Sequence, residues 1–311
     1  MNKKMVYIGI DVSKLNLDVS DFDSKPSCIK NTNAGIVGLI RRIKALSAEV
    51  IVCCEATGGY EQLLCSMLMA ENIKVALANP ARVRNFAKSK GILAKTDKID
   101  AEVIAEFSRQ NSPRLLCERP KWLDELKALL VRREELIDMK KQERSRLEHA
   151  GCRTVTLEIK RHISLLSRRI ATLERTMDDL VGKHAELKWK YSRLTEVKSI
   201  GKISALCLIS FLPELGSISG NQAAALAGVA PFNKDSGTHK GLRMIQGGRS
   251  RIRRTLYMAA VIGSFSNPFF KELYQRLTGK GKPAKVAITA VMRKMVVLAN
   301  RLLADPDFLL S

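Results

Sequence analysis

The chain has 311 residues, 46% of them hydrophobic, and a formal net charge of +22. That length and apolar content exclude a disordered or fibrous chain and predict about two domains with cores of their own. The positive excess points to a polyanionic partner, with nucleic acid first and an anionic membrane surface second.

No apolar run is long enough to cross a bilayer, and the N-terminus lacks the hydrophobic region of a signal peptide. Met5 to Ile10 is too short and is followed by Asp11. A cytoplasmic protein with no membrane partner is expected. The seven cysteines contain no CxxC pair, so reduced thiols are expected rather than zinc or a disulfide framework.

The first 110 residues read as α/β. Val6 to Ile10 and Leu15 to Asp21 are predicted strands. Ile36, Leu39, Ile40, Ile43 and Leu46 share one side of a helix over 36–47. Val50 to Cys54 is a buried strand ending in the turn Ala56-Thr57-Gly58-Gly59. A helix over 60–70 and a strand over 74–78 follow, the strand stopped by Asn79-Pro80. Thr96 is a plausible N-cap for a helix over 97–108.

Residues 121–192 are dense in charge and poor in glycine. Ile159, Ile163, Leu166, Ile170, Leu173, Met177 and Leu180 repeat at spacings of four and three, with His184 and Leu187 extending the register. This predicts a coiled-coil seam of about four heptads, preceded by a helix with a weaker seam and a turn near Gly151 to Thr154. An intramolecular hairpin and a dimerisation arm both fit the pattern. Beyond Leu194, Val197 to Ala205 joins two helical stretches through a glycine turn resembling a helix-hairpin-helix element. Gly201 and Lys202 are its candidate phosphate contacts. Residues 232–311 carry 15 basic against 4 acidic residues, half of the whole excess.

Four carboxylates stand out. Asp11 and Glu55 end apolar strands, while Asp97 and Asp100 lie one helical turn apart behind Lys95. Each alone reads as a turn or first-turn acid favoured by the helix dipole. Together they suit Mg²⁺ or Mn²⁺, which take hard oxygen ligands and assist phosphodiester cleavage. Lys95 would offset the mutual repulsion of the helix pair and contact nucleic acid.

These motifs, with Asn79-Pro80, resemble the DEDD insertion-sequence transposases, the group related to the Piv DNA invertase. The resemblance continues through Ala227-Gly228-Val229-Ala230-Pro231, Asp235-Ser236-Gly237, Arg243, Gln246-Gly247-Gly248-Arg249 and Leu256-Tyr257-Met258-Ala259-Ala260. It implies an RNase H-like domain similar to the resolvase RuvC over 1–112 and a mainly α C-terminal transposase domain over 193–311, on either side of the coiled-coil arm that the heptads place over 121–192. It also implies that Ser236 is the nucleophile, that acids and serine come from different protomers of a dimer or tetramer, and that a structured guide RNA pairs with donor and target DNA. Composition and spacing do not by themselves specify an insertion sequence.

Read from its residues, Ser236 lies in a Ser-Gly turn beside Asp235 and close in sequence to Arg243 and Arg249, which favours an ordinary turn over a nucleophile; the resemblance reverses that order. Arg249, Arg251, Arg253 and Arg254 are candidate phosphate clamps beside Gly247-Gly248, or else a solvated helix face. Lys280, Lys282 and Lys285 form a further candidate nucleic-acid loop. Aromatics make up only 5% of the chain, so phosphate contacts rather than base stacking are expected to dominate binding. Three other readings stay open: a junction-type endonuclease using water and the same acids, a sugar-kinase-like ATP enzyme suggested by Ile8-Gly9-Ile10-Asp11, and a non-catalytic nucleic-acid scaffold.

Overall fold

A computed structural model describes residues 5–21, 26–46, 48–92, 97–116, 120–232 and 244–309. The chain divides into two compact units, Met1–Arg119 and Pro120–Ser311.

In the first unit, β1 (Met5–Val12), β2 (Asn16–Asp21) and β3 (Ser27–Lys30) form an antiparallel meander. The chain continues through α1 (Asn33–Lys44), β4 (Glu49–Glu55), α2 (Gln62–Ala70), β5 (Lys74–Ala78), α3 (Pro80–Ser89) and α4 (Asp97–Asn111). β4 joins the other edge of β1 in parallel, and β5 adds to β4, giving the sheet order β3-β2-β1-β4-β5.

Alternation along the strands sorts the two faces. Ile8, Ile10, Val12, Leu17, Val19, Val52 and Cys54 bury one face against Ile36, Leu39, Ile40 and Ile43 of α1 and Leu64 and Leu68 of α2. Cys53, Ala76 and Ala78 of the opposite face pack with Val83 and Ala87 of α3 and Val103, Ile104 and Phe107 of α4. α1 begins three residues before the predicted start because Thr32 caps it, accepting from the Gly35 N–H. β3 and α3 were not predicted. α3 is nucleated by Asn79, whose side chain accepts from Ala81 N, with Pro80 at the first helical position, so the pair read as a strand stop is equally a helix start. The proposed cap Thr96 lies outside the described residues.

The second unit begins with two long helices, α5 (Lys121–Glu148) and α6 (Arg153–Lys183), packed on each other. Then come α7 (Ala185–Thr195), α8 (Lys202–Phe211), α9 (Gly220–Leu226), the short strands β6 (Pro231–Phe232) and β7 (Met244–Ile245), α10 (Ser250–Ser266), α11 (Pro268–Gly279) and α12 (Ala284–Ala304). One core joins Trp122, Leu126 and Leu130 of α5 and Met177 and Leu180 of α6 to Leu206, Leu208, Leu256, Met295 and Val296 of the later helices. The two long helices are therefore rooted in the same core as residues beyond 193. The heptad register does not run on through His184 in a continuous helix: the backbone there turns extended (φ −120°, ψ 109°) and a new helix starts at Ala185. The ring of Trp122 lies 6.3 Å from that of His184 at this break.

Candidate active site

The sheet register places the strand acids. Gly9 pairs with Cys53 and Ile10 with Cys54 in the parallel β1–β4 ladder, so Asp11 and Glu55 are the next residues of adjacent strands. Both share the face of Gly9 and Cys53, the face covered by α4. Gly9 is why the helix lies so close. A Cβ built there would stand 2.1 Å from the Ala101 carbonyl oxygen and 2.4 Å from the Ala105 nitrogen. Tyr7, two residues earlier on the same face, lies within electrostatic range of Arg109 near the far end of α4. α4 therefore runs antiparallel to β1, and its N-terminal turn, with Asp97 and Asp100, falls toward Asp11. Asp100 stands one turn before Ile104, which is fully buried. Asp11, Glu55 and Asp100 are each half-buried. Backbone placement is described for Asp97 but its side chain is not, and Lys95 lies outside the described residues.

Sequence reasoning missed one acid on this face. Asp18 of β2 sits directly opposite Asp11 in the antiparallel ladder and is half-buried. Like charges directly opposed across a ladder destabilise it. Asp18, Asp11 and Glu55 thus form a row on three neighbouring strands. The signal was present in Asn16-Leu17-Asp18-Val19, where Asp18 alternates with buried residues, but only the hairpin register reveals its neighbour. As placed, no three His, Cys, Asp or Glu among the described residues form a group that could hold a metal ion by themselves.

The turn leaving β4 is held by a carboxylate. Glu61, 9% exposed, accepts from the Thr57 hydroxyl at 2.7 Å, the Gly59 N–H at 2.9 Å and the Thr57 N–H at 3.2 Å. Gly58 (φ 80°) and Gly59 (φ 132°) supply the backbone conformations that let one side chain gather these donors. Burial alone would raise the Glu61 carboxyl, but the Thr57 hydroxyl and the backbone N–H groups of Glu61, Gly59 and Thr57 outweigh it and hold it below the ordinary 4.5. A depressed carboxylate stabilises the fold above its unfolded value, and that contribution is lost as pH falls through the lower folded value. Glu61→Gln is expected to cost about 1 kcal/mol at neutral pH, with the gap from wild type closing below 4.5 in urea unfolding run across pH. A gap that stayed constant down to about pH 3 would show that the charge contributes nothing.

Burial pushes the Cys53 thiol up to about 12, and the Cys65 thiol 3.7 Å away, together with burial, raises Cys54 well above the ordinary range, which favours the protonated thiol in both.

In the second unit most of the candidate phosphate clamps have protein partners. Arg249 makes a two-pronged bridge to Glu214, both contacts 2.6 Å, and donates to the Phe211 carbonyl at 2.9 Å. Arg251 and Arg254 both pair with Glu134 of α5, at 2.8 and 3.0 Å. Arg253 donates to the Gly247 carbonyl at 2.6 Å. Lys202 is bound to Asp178 of α6, and Gly201 serves as N-cap of α8 with open space around it. Lys280, Lys282 and Lys285 are exposed and make no ion pair among the described residues, at the turn where Gly281 takes φ 75°. The four arginines therefore act at least as structural clamps, whereas the three lysines of the loop are left unpaired among the described residues.

Ser236 and Arg243 lie outside the described residues. Their segment, 233–243, springs from a defined base. Phe232 pairs with Met244 and Pro231 with Ile245. Just below, the backbones of Gly228 and Gly248 cross in contact, and the Arg249 N–H donates to Leu226 O at 2.8 Å.

A mixed five-stranded sheet with helices on both faces and acids gathered at one end is compatible with an RNase H-like enzyme domain acting on nucleic acid. Comparison with known proteins agrees and goes further. Residues 8–150 match a DEDD transposase model of the IS110 type, and residues 191–275 match one described as transposase of the IS116/IS110/IS902 family. The chain is 32% identical over 307 residues to the pilin gene-inverting protein of Moraxella lacunata, covering 94% of both chains. The counterpart from Moraxella bovis has the same identity and coverage. The protein belongs to the IS110 family of transposases, with Piv-like relatives, and is a DNA recombinase/transposase. Among the described residues no helix is long and apolar enough to cross a membrane.

Proposed function

We propose that this transposase cuts and rejoins DNA with a composite site, in which Asp11, Glu55, Asp97 and Asp100 hold divalent metal and Ser236 is the nucleophile. The observation that carries the reading is the register that sets Asp11 beside Glu55 under the N-terminal turn of α4. The donor set fits Mg²⁺ or Mn²⁺, since every candidate ligand is a carboxylate oxygen. When bound, such ions stabilise negative charge on the phosphate and on the leaving oxygen.

The serine hydroxyl loses its proton and its Oγ attacks phosphorus. A Ser–O–P bond forms, the P–O3′ bond breaks, and the 3′-oxygen leaves as a hydroxyl. The phosphate stays linked to serine through the 5′ end, so the bond energy is kept for rejoining by another 3′-hydroxyl. Glu61 keeps the turn after Glu55 in place. The glycine turn at Gly201 and the loop of Lys280, Lys282 and Lys285 contact DNA backbone, and a structured RNA supplies the choice of target. The acids and the serine act from different protomers of a dimer or tetramer. Two relatives named for inverting a pilin gene support rearrangement rather than simple hydrolysis.

The test is a strand-exchange reaction with element DNA and RNA, stopped in denaturant. Ser236→Ala is expected to abolish the covalent protein–DNA adduct and the exchange. Asp11→Asn and Glu55→Gln are each expected to slow exchange about a thousandfold or more, an effect of roughly 4 kcal/mol on the barrier. Both are also expected to weaken Mn²⁺ binding in calorimetry. If Ser236→Ala cleaves like wild type and no adduct forms, the water-using endonuclease is the right reading. Intact exchange in the acid variants would leave only a scaffold.

A further inference from the structure

The outward face of α6 carries a line of cations that the proposed site does not use. Arg161, Arg168 and Arg175 recur every seven residues, so they stack along one side of the helix with a drift of only about 20° per step. That side is opposite the one buried against α5, where Ile159, Leu166 and Met177 lie. Arg153, Lys160 and Arg169 flank the line, and all six basic residues are exposed. None of the six makes an ion pair among the described residues. Between Arg153 and Thr176 the only acids are Glu158 and Glu174, and Glu174 is taken by Arg133.

The neighbouring helix shows what an ordinary solvated face looks like here. α5 interleaves its charges, pairing Arg132 with Glu135, Lys141 with Asp138 and Arg146 with Glu143. A surface built only for solubility mixes both signs in this way. α6 leaves one sign uncompensated along a line. From Arg161 to Arg175 the helix rises about 21 Å. Such a line suits a regular row of phosphates. Like charge also opposes a second copy of this chain on that face.

The geometry points to the outward face of α6 as a binding strip for the phosphodiester backbone of double-stranded DNA. The contact is independent of base sequence and uses neither the acids nor the lysine loop. It holds and orients the duplex on which this family acts. Each arginine on the strip releases counterions when it meets a phosphate, so the strip writes itself into the salt dependence of binding.

The experiment is fluorescence anisotropy with a 40-base-pair duplex across a range of salt, in EDTA, so that the result does not depend on the metal-site reading. Arg161→Gln/Arg168→Gln/Arg175→Gln is expected to lower the slope of log K against log salt by about 2 to 3, and to weaken binding roughly tenfold to a hundredfold at physiological salt. A control, Lys44→Gln/Lys74→Gln/Arg109→Gln, removes the same charge from residues paired with Glu71, Glu49 and Glu106 and is expected to leave the slope within about 0.5 of wild type. Arg168→Gln alone, with circular dichroism confirming the fold, is expected to lower the slope by about 0.9. Equal slopes in the triple variant and wild type would overturn the proposal, as would an equal fall in the control. It is likewise overturned if the triple variant loses affinity only for structured RNA or anionic vesicles, or changes only the sedimentation of the free protein, with DNA binding intact.

Discussion

Gly9→Ala is expected to destabilise the N-terminal unit by about 3 kcal/mol or more, although it adds a single methyl group. The new Cβ would stand 2.1 Å from one backbone atom of α4 and 2.4 Å from another, and neither can rotate away as a side chain could. The helix must lift from β1, which opens the packing of Ala101, Ile104 and Ala105, each at most 1% exposed. Hydrogen exchange is the sharpest measurement. The amides of α4 are expected to lose protection, while those of α1, on the opposite face, keep it. The same replacement at Gly38, inside α1, is expected to leave stability unchanged or raise it by up to about 1 kcal/mol, since nothing lies within 4 Å of its Cβ. Because α4 carries Asp97 and Asp100, Gly9→Ala is also expected to weaken Mn²⁺ binding although it alters no carboxylate. Normal metal binding in a folded Gly9→Ala protein would count against a shared site for the strand and helix acids.

Gly248→Ala is expected to cost about 3 kcal/mol or more, against about 1 to 2 kcal/mol for Gly247→Ala. The two neighbours share nearly the same left-handed backbone, φ 69° and 68°, so both substitutions pay for a conformation that L side chains avoid. Only Gly248 meets backbone, with its Cβ 2.2 Å from the Gly228 nitrogen, whereas Gly247 faces open space. The difference between the two variants in urea unfolding isolates the crossing from the dihedral penalty. If the pair cost the same, the Gly228–Gly248 contact contributes nothing. The crossing lies at the base of the segment with Ser236, so strand exchange is expected to fall further in Gly248→Ala than its stability loss explains.

Much of the N-terminal unit was legible because its signals are local. Short apolar runs marked β1 and β4, alternation marked β2, the 3.6-residue period marked α1, and a candidate cap at Thr96 marked α4. The edge strand β3 was missed, since Ser27-Cys28-Ile29-Lys30 is only half-buried and short. α3 was missed because its apolar contacts are few and its start shares Asn79-Pro80 with a strand end. The break at His184 was hidden because Leu187 keeps the seam spacing across it and is itself buried.

What the sequence by itself determined is the family, most of the N-terminal strands and helices, and the four acids Asp11, Glu55, Asp97 and Asp100 as candidates. Each rests on short motifs and on periodicities that reach only a few residues along the chain. What the tertiary structure decided is which charges remain for a partner. Arg249 finds Glu214 thirty-five residues away, and Arg251 and Arg254 converge on Glu134 of a different helix. Asp18 becomes Asp11's neighbour only through the hairpin register. Ion pairs act over a few ångströms in space between residues far apart in sequence, so a basic run cannot disclose which of its members are already neutralised. Folding committed several arginines of residues 249–254 to internal contacts and left the outward face of α6 and the Lys280–Lys285 loop without ion pairs among the described residues.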